Sequence, residues 1–226
     1  MKRLESSQSN YLIDSTVVNP DIACYMQGLV EKKTRPILVE METLAKQKNF
    51  PIVGRLVGTS LEVLAKMVNA KRVFEFGSGY GYSAYWFARA VGLNGQVICT
   101  DNKLANKEQA EIFLSSVDLW KRVTFCIGYA QEVFSQTEGF FDICYNDVDK
   151  SEYPSVWKMA REKIRPGGLY IADNVLWHGK VIAENNTDEW TQAILEHNQL
   201  IFDDPEFDTF INPTRDGVMV ARRKMA

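Results

Sequence analysis

Val73-Phe74-Glu75-Phe76-Gly77-Ser78-Gly79-Tyr80-Gly81-Tyr82-Ser83 decides the fold. An apolar run fit for a buried strand meets three glycines at alternate positions, and a helical pattern follows. Alternate glycines permit a tight turn and let backbone approach a ligand with no Cβ in the way. Such a turn delivers the ligand to the N-terminus of the next helix, as nucleotide-type pockets do. An acidic residue, Glu75, stands two places before the first glycine.

Outward from this turn the pattern is strand and helix in alternation. Strands are expected at 72–76, 96–100, 123–127, 141–146 and 168–172, and helices at 83–91, 103–117, 130–134, 153–164 and 189–202. Runs at 207–211 and 217–222 read as a terminal antiparallel pair. Before residue 70 only helical signals occur. Asn19-Pro20-Asp21 looks like a helix start, Pro36 begins a second helix, and Gly58-Thr59-Ser60 precedes a third apolar-periodic run from Leu61. The expectation is one α/β domain over 1–226, with a helical extension at 1–69 and a core at 70–226. The core is a doubly wound, mostly parallel sheet with a C-terminal antiparallel strand pair. Ligands on such sheets bind beyond the carboxyl ends of the strands.

Composition narrows the classes. The 226 residues are 46% hydrophobic with a net charge of −3, ordinary for a globular protein and without the basic character of a nucleic-acid binder. The Arg222-Arg223-Lys224 cluster reads as a solvated strand end. Cys24, Cys99, Cys126 and Cys144 form no CxxC pair, so a zinc site or disulfide framework is not expected. The first 14 residues are polar and no stretch approaches a membrane span, which favours a cytoplasmic protein.

Asp101 ends the second strand 20 residues after Gly81, where a carboxylate accepts hydrogen bonds from both ribose hydroxyls. That does not separate NAD from S-adenosylmethionine. The glycine spacing does help. A dinucleotide fingerprint is GxGxxG, whereas position 82 here is Tyr and the pattern is E-x-G-x-G-x-G. This resembles the first motif of class I S-adenosylmethionine-dependent methyltransferases. A carboxylate beside the turn suits the methionine ammonium and would repel a pyrophosphate.

The fourth strand runs into Asp147-Val148-Asp149-Lys150, and the fifth into Asp173-Asn174. Two carboxylates and an amide oxygen at neighbouring strand ends suit a hard cation such as Mg²⁺. Taken singly, Asp-Asn after a strand is a common turn, and Asp147-Asp149-Lys150 a solvated loop. Together, D-x-D-K at 147–150 and D-N-x-x-W at 173–177 resemble the cation-dependent O-methyltransferases of the caffeoyl-CoA and catechol O-methyltransferase group, from about Tyr11 to Arg223.

The resemblance implies a Rossmann-like methyltransferase fold and the following roles. Asp147, Asp173 and Asn174 would hold the cation, Mg²⁺ first with Ca²⁺ or Mn²⁺ as alternatives. Lys150 would be the general base, with Asp147 beside it. Asp149 would bind the cofactor's ammonium and Asp101 its ribose. Glu75, Gly77, Ser78 and Ser83 would line its methionine end, Val53 would contact it, and Ala130 would lie by the adenine. His178 falls where the group has a substrate contact. The acceptor would be a phenolic or catechol-like small molecule, and the protein a homodimer. The chain departs from the group at 52–58, which is apolar and basic rather than acidic, and at the basic residue used for a CoA ester, which has no match. Other readings are a metal-independent small-molecule methyltransferase, an NAD-dependent oxidoreductase, or a non-catalytic cofactor-binding protein. Tyr80, Tyr82 and Tyr85 are expected to pack helix on sheet, His197 to be structural or exposed, and 203–206 to be a solvated turn.

Overall fold

A computed structural model describes residues 18–183 and 187–225. The polar stretch 1–14 and the start of the resemblance at Tyr11 lie outside the described residues. Three helices come first, α1 (Pro20–Glu31), α2 (Pro36–Lys48) and α3 (Gly54–Met67). The Asn19 side chain caps the Asp21 N–H of α1, and Pro36 starts α2 at a position where its missing N–H costs nothing.

Then follow β1 (Arg72–Phe76), α4 (Tyr82–Ala90), β2 (Gln96–Asp101), α5 (Leu104–Ser115), β3 (Val123–Ile127), α6 (Ala130–Gln136), β4 (Phe141–Asn146), α7 (Tyr153–Lys163), β5 (Ile164–Ala172), α8 (Glu189–Phe202), β6 (Phe207–Asn212) and β7 (Val218–Arg223). They build one seven-stranded sheet in the order β3-β2-β1-β4-β5-β7-β6. The first five strands are parallel; β7 runs antiparallel to both β5 and β6. The strand order reverses between β1 and β4, so a crevice opens at their carboxyl ends.

Strand alternation divides the core into two layers. Val73, Val97, Cys99, Ile143, Tyr145, Leu169 and Ile171 face α2 to α5. Phe74, Phe76, Ile98, Cys144, Tyr170 and Ala172 face α6 to α8. Phe141 joins the second layer, out of parity with Ile143, because the β4–β5 register shifts between them. Glu75 shares the first layer's parity with Val73, which puts a carboxyl group in an apolar layer opposite Cys99 and Tyr145.

The third helix starts at Gly54, earlier than the Gly58-Thr59-Ser60 signal implies. Gly58 serves packing within the helix instead: an added Cβ there would sit 2.1 Å from the indole nitrogen of Trp86 on α4. Ser60 returns its hydroxyl to the Leu56 carbonyl at 3.0 Å, which keeps a capping residue inside the helix. Asp204 is not solvated; its carboxylate pairs with Arg161 at 2.6 Å and is largely buried. Arg223 closes the sheet end by donating to the Ile164 carbonyl at 2.8 Å and pairing with Glu206. His197 is fully buried, with Nε2 at 3.0 Å from the Tyr170 hydroxyl, and burial lowers its pKa to about 4. No helix among the described residues is long and apolar enough to cross a membrane.

Candidate active site

A cavity of about 520 Å³ opens at the carboxyl ends of β1, β2, β4 and β5, within the range of small-molecule sites. Its wall contains Val53, Gly77, Ser78, Ser83, Asp101, Ala130, Asp147, Asp149, Lys150, Asp173, Asn174 and His178. Every site residue read from the sequence except Glu75 is thus on one surface. Glu75 is fully buried beneath it, because its strand parity aims it into the helix layer. Its contact with the cavity is indirect, through the Ser78 hydroxyl, which donates to Glu75 Oε2 at 2.9 Å, and through Ser83. Burial raises the Glu75 carboxyl to about pKa 7 against the pull of these donors.

The β1–β2 end is tightly knitted. The Thr100 hydroxyl donates to the Glu75 carbonyl at 2.8 Å and accepts from the Gly77 N–H at 3.2 Å. The Ser78 N–H donates to the Thr100 carbonyl at 2.8 Å. Gly77 has φ +80°, and an added Cβ would lie 2.7 Å from the Asp147 carbonyl oxygen. The turn therefore needs glycine both for its dihedral and for its approach to the β4 loop. Asp101 accepts from the Lys103 N–H at 2.7 Å and the Asn106 amide at 3.0 Å, both on Oδ1.

The β4–β5 end is crowded with charge. Asp147 follows β4, its N–H bonded to the Phe76 carbonyl at 2.9 Å, and Asp173 follows β5, its N–H bonded to the Asn146 carbonyl at 3.2 Å. Lys150 is buried and donates from Nζ to Asp147 Oδ1 at 3.1 Å and to the Tyr153 hydroxyl at 2.7 Å. The Tyr153 hydroxyl in turn donates a hydrogen bond to the Asp173 carbonyl oxygen at 2.9 Å. Burial and the neighbouring Asp147 charge raise the Asp173 carboxyl to about pKa 7, and burial raises Asp147. Asp173 Oδ1 is buried with no hydrogen-bond partner. That oxygen has no partner, although the charges of Arg215 and Lys150 act on Asp173. Two carboxylates with the Asn174 amide are the donor set of a hard cation, so these residues fit one. Among the described residues no group of three or more His, Cys, Asp or Glu side chains forms a metal-holding cluster, so the fit rests on this smaller set.

Several wall residues were not found from the sequence: Phe50, Thr100, Glu152, Trp190 and Arg215. With them belongs Asp216, just behind the wall. The β6–β7 turn reads in sequence as an ordinary solvated Pro-Thr-Arg-Asp-Gly loop, and nothing local marks it. In the fold it tucks under the 174–179 loop. Asp216 is almost fully buried, accepts the His178 N–H on Oδ1 at 2.5 Å, and presents its carbonyl to the Leu176 N–H. His178 stands with φ +54°, and its side chain is half exposed at the rim. Tyr80 and Tyr82 pack as expected, with hydroxyls on the Met41 carbonyl and on Glu42, yet both also reach the cavity wall.

The chain is similar to several known proteins. The family model described as O-methyltransferase matches residues 23–224. A catechol O-methyltransferase of Niastella koreensis is 32% identical over 182 residues, 78% of this chain and 82% of that protein. A caffeoyl-CoA O-methyltransferase of Populus trichocarpa is 29% identical, over 74% of this chain and 72% of its own length. Among solved structures, the O-methyltransferase from Bacillus cereus in complex with SAH superposes with a TM-score of 0.80 at 25% identity, covering 90% of this chain and 97% of that one. A methyltransferase from Geobacter sulfurreducens gives 0.80 at 26% identity, over 93% and 100%.

Proposed function

The chain belongs to the O-methyltransferase family, and from that premise we propose that it methylates a phenolic or catechol-like hydroxyl, using S-adenosylmethionine and a divalent cation. The observation that carries the proposal is the pair of crowded carboxylates, Asp147 and Asp173, at adjacent strand ends beside the glycine turn, with Asp173 Oδ1 unpartnered.

In this reading Asp147, Asp173 and the Asn174 amide hold the cation. Gly77, Ser78, Ser83 and Val53 enclose the cofactor's methionine end, Asp149 its ammonium, Asp101 its ribose and Ala130 its adenine. When bound, the cofactor supplies the methyl group and the cation lowers the pKa of the acceptor hydroxyl, about 10 for a phenol. Lys150 Nζ, positioned at the cavity wall by Asp147 and Tyr153, would take the acceptor's proton as the neutral amine, after releasing its own proton to solvent. The bound cofactor would supply its methyl group to the deprotonated acceptor oxygen, with the sulfonium leaving as a neutral thioether. Holding oxygen and methyl in line is the wall's main contribution to rate. His178 and Trp177 border the acceptor at the rim.

The cytoplasm and a homodimer complete the reading. All four cysteines are free, and α1 buries none of its own residues while exposing Ile22, Tyr25 and Leu29 along its length.

The test is a screen of catechols, caffeoyl esters and flavonoids with S-adenosylmethionine, in Mg²⁺ and in chelator. Methylated product is expected with Mg²⁺, lost on chelation and restored by added Mg²⁺. Full turnover in chelator would favour a metal-independent methyltransferase instead.

A further inference from the structure

Arg215 is a cation at the cavity wall that none of the roles above employs. Its Nη1 donates to the Ile52 carbonyl at 2.7 Å, and the same nitrogen lies 3.2 Å from where a Cβ on Gly54 would stand. The guanidinium therefore spans from the β6–β7 turn to the start of α3, beside Val53. Its Nε is buried without a hydrogen-bond partner. Among the described residues no carboxylate lies within 4 Å of it, although Asp147, Asp173 and Asp216 all feel its charge. Those three have other engagements: Asp147 accepts from Lys150, Asp216 from the His178 N–H, and Asp173 faces Asp147.

The backbone adds a second, independent observation. Arg215 sits at φ +54°, a left-handed position that Gly or Asn occupies with less strain. A long cationic side chain kept at such a site points to a use for the side chain, since the turn itself would be better served without it. A planar guanidinium with free donors matches a carboxylate by paired N–H bonds.

We propose that Arg215 binds a carboxylate inside this cavity. Two carboxylates are within the chemistry of the site: that of the cofactor's methionine part, and one carried by the acceptor. The assignment rests on the methyl-transfer reading above for what enters the cavity, and the test separates the two sources.

The experiment is calorimetric binding to the full chain, without turnover. In the cofactor arm, S-adenosylhomocysteine is compared with 5′-methylthioadenosine, which has no amino-acid part. In the acceptor arm, 3,4-dihydroxybenzoate is compared with its methyl ester, with S-adenosylhomocysteine and Mg²⁺ present. Arg215→Gln is expected to shrink the preference for the carboxylate-bearing partner by about tenfold to a hundredfold in one arm. Arg215→Lys should restore part of it, keeping the charge without the fork. Arg215→Asn, which suits the left-handed turn, should lose the preference with no fall in melting temperature beyond a few degrees, separating recognition from folding. Loss in the first arm assigns the cofactor's carboxylate, and loss in the second the acceptor's. Preferences unmoved in both arms would overturn the assignment and leave the methyl-transfer reading standing. Failure of the wild type to bind S-adenosylhomocysteine at all would overturn both.

Discussion

The two ends of the cavity are built on opposite principles. At the β1–β2 end, Gly77, Ser78 and Thr100 bond to one another and to the strand backbone, so the turn is complete as it stands. At the β4–β5 end, Asp147 and Asp173 repel each other and Asp173 Oδ1 has no partner. Next to them Asn174, Trp177, His178 and Arg215 all adopt positive φ. Self-satisfied polar groups make a rigid receptor for a large, constant ligand. Unsatisfied ones store a cost that a bound partner relieves. The contrast assigns a pre-organised backbone turn to the cofactor end, where the one unpartnered carboxyl oxygen is that of Glu75 beneath the wall, and mutual repulsion of two carboxylates to the other end.

The sharpest test of that contrast is Asp173→Asn. Turnover should fall at least about a hundredfold, as loss of a charged cation ligand does. In protein free of metal, stability should move the other way. The folded Asp173 pKa is raised to about 7, so its ionisation destabilises the fold as pH rises from about 4 through 7. Urea unfolding at pH 8 should show the variant more stable than wild type, by about 4 kcal/mol at most, with the gain nearly absent at pH 4. A variant less stable than wild type at pH 8 would remove the idea of stored strain.

A second test lies behind the chemical end. His197 is buried neutral, bonded to Tyr170, which in turn accepts from the Asn146 amide at 3.0 Å. Its folded pKa, about 4, is below the value of 6.5 for a free imidazole. The unfolded chain therefore binds the extra proton first, and stability falls as pH drops from about 6.5 toward 4, by about 3 kcal/mol at most. His197→Asn should lack this decline, whatever its stability at neutral pH. An unchanged slope would mean that the backing of the strained end is not the acid-sensitive element.

The smallest effect belongs to the satisfied end. Glu75 ionises near pH 7 and its charge reaches the cavity through Ser78 and Ser83. Affinity for S-adenosylhomocysteine, whose ammonium is cationic, should therefore rise with pH through about 7. Glu75→Gln should flatten that dependence and weaken binding by about tenfold above it. A flat wild-type profile would show the rigid end to be indifferent to this carboxyl group.

The same division governs what could be read from the chain. The cofactor end is local: strand, turn and helix follow one another from Val73 to Ser83, and period and glycine spacing suffice. Asp147 and Asp173-Asn174 were legible because alternation of strands and helices puts them at neighbouring strand ends. The burial of Glu75 follows from a period of two, yet its depth depends on Cys99 and Tyr145 from flanking strands, which no local pattern specifies. Arg215 and Asp216 were not legible at all. A charged pair in a Pro-Gly turn is normally solvated, and only the antiparallel return of β7 beside β5 brings that turn under the 174–179 loop. The early start of α3 was hidden for a similar reason, since Gly58 looks like a boundary until Trp86 is in place.

That late hairpin also gives the site a history. A chain emerging from the ribosome N-terminus first can pair β1, β2 and β4 and close the glycine turn well before residue 213 has been made. The turn carrying Arg215 and Asp216 arrives last, and with it the support of His178 and the strut to Ile52. Synthesis therefore supplies the residues of the cofactor turn well before those that complete the opposite wall.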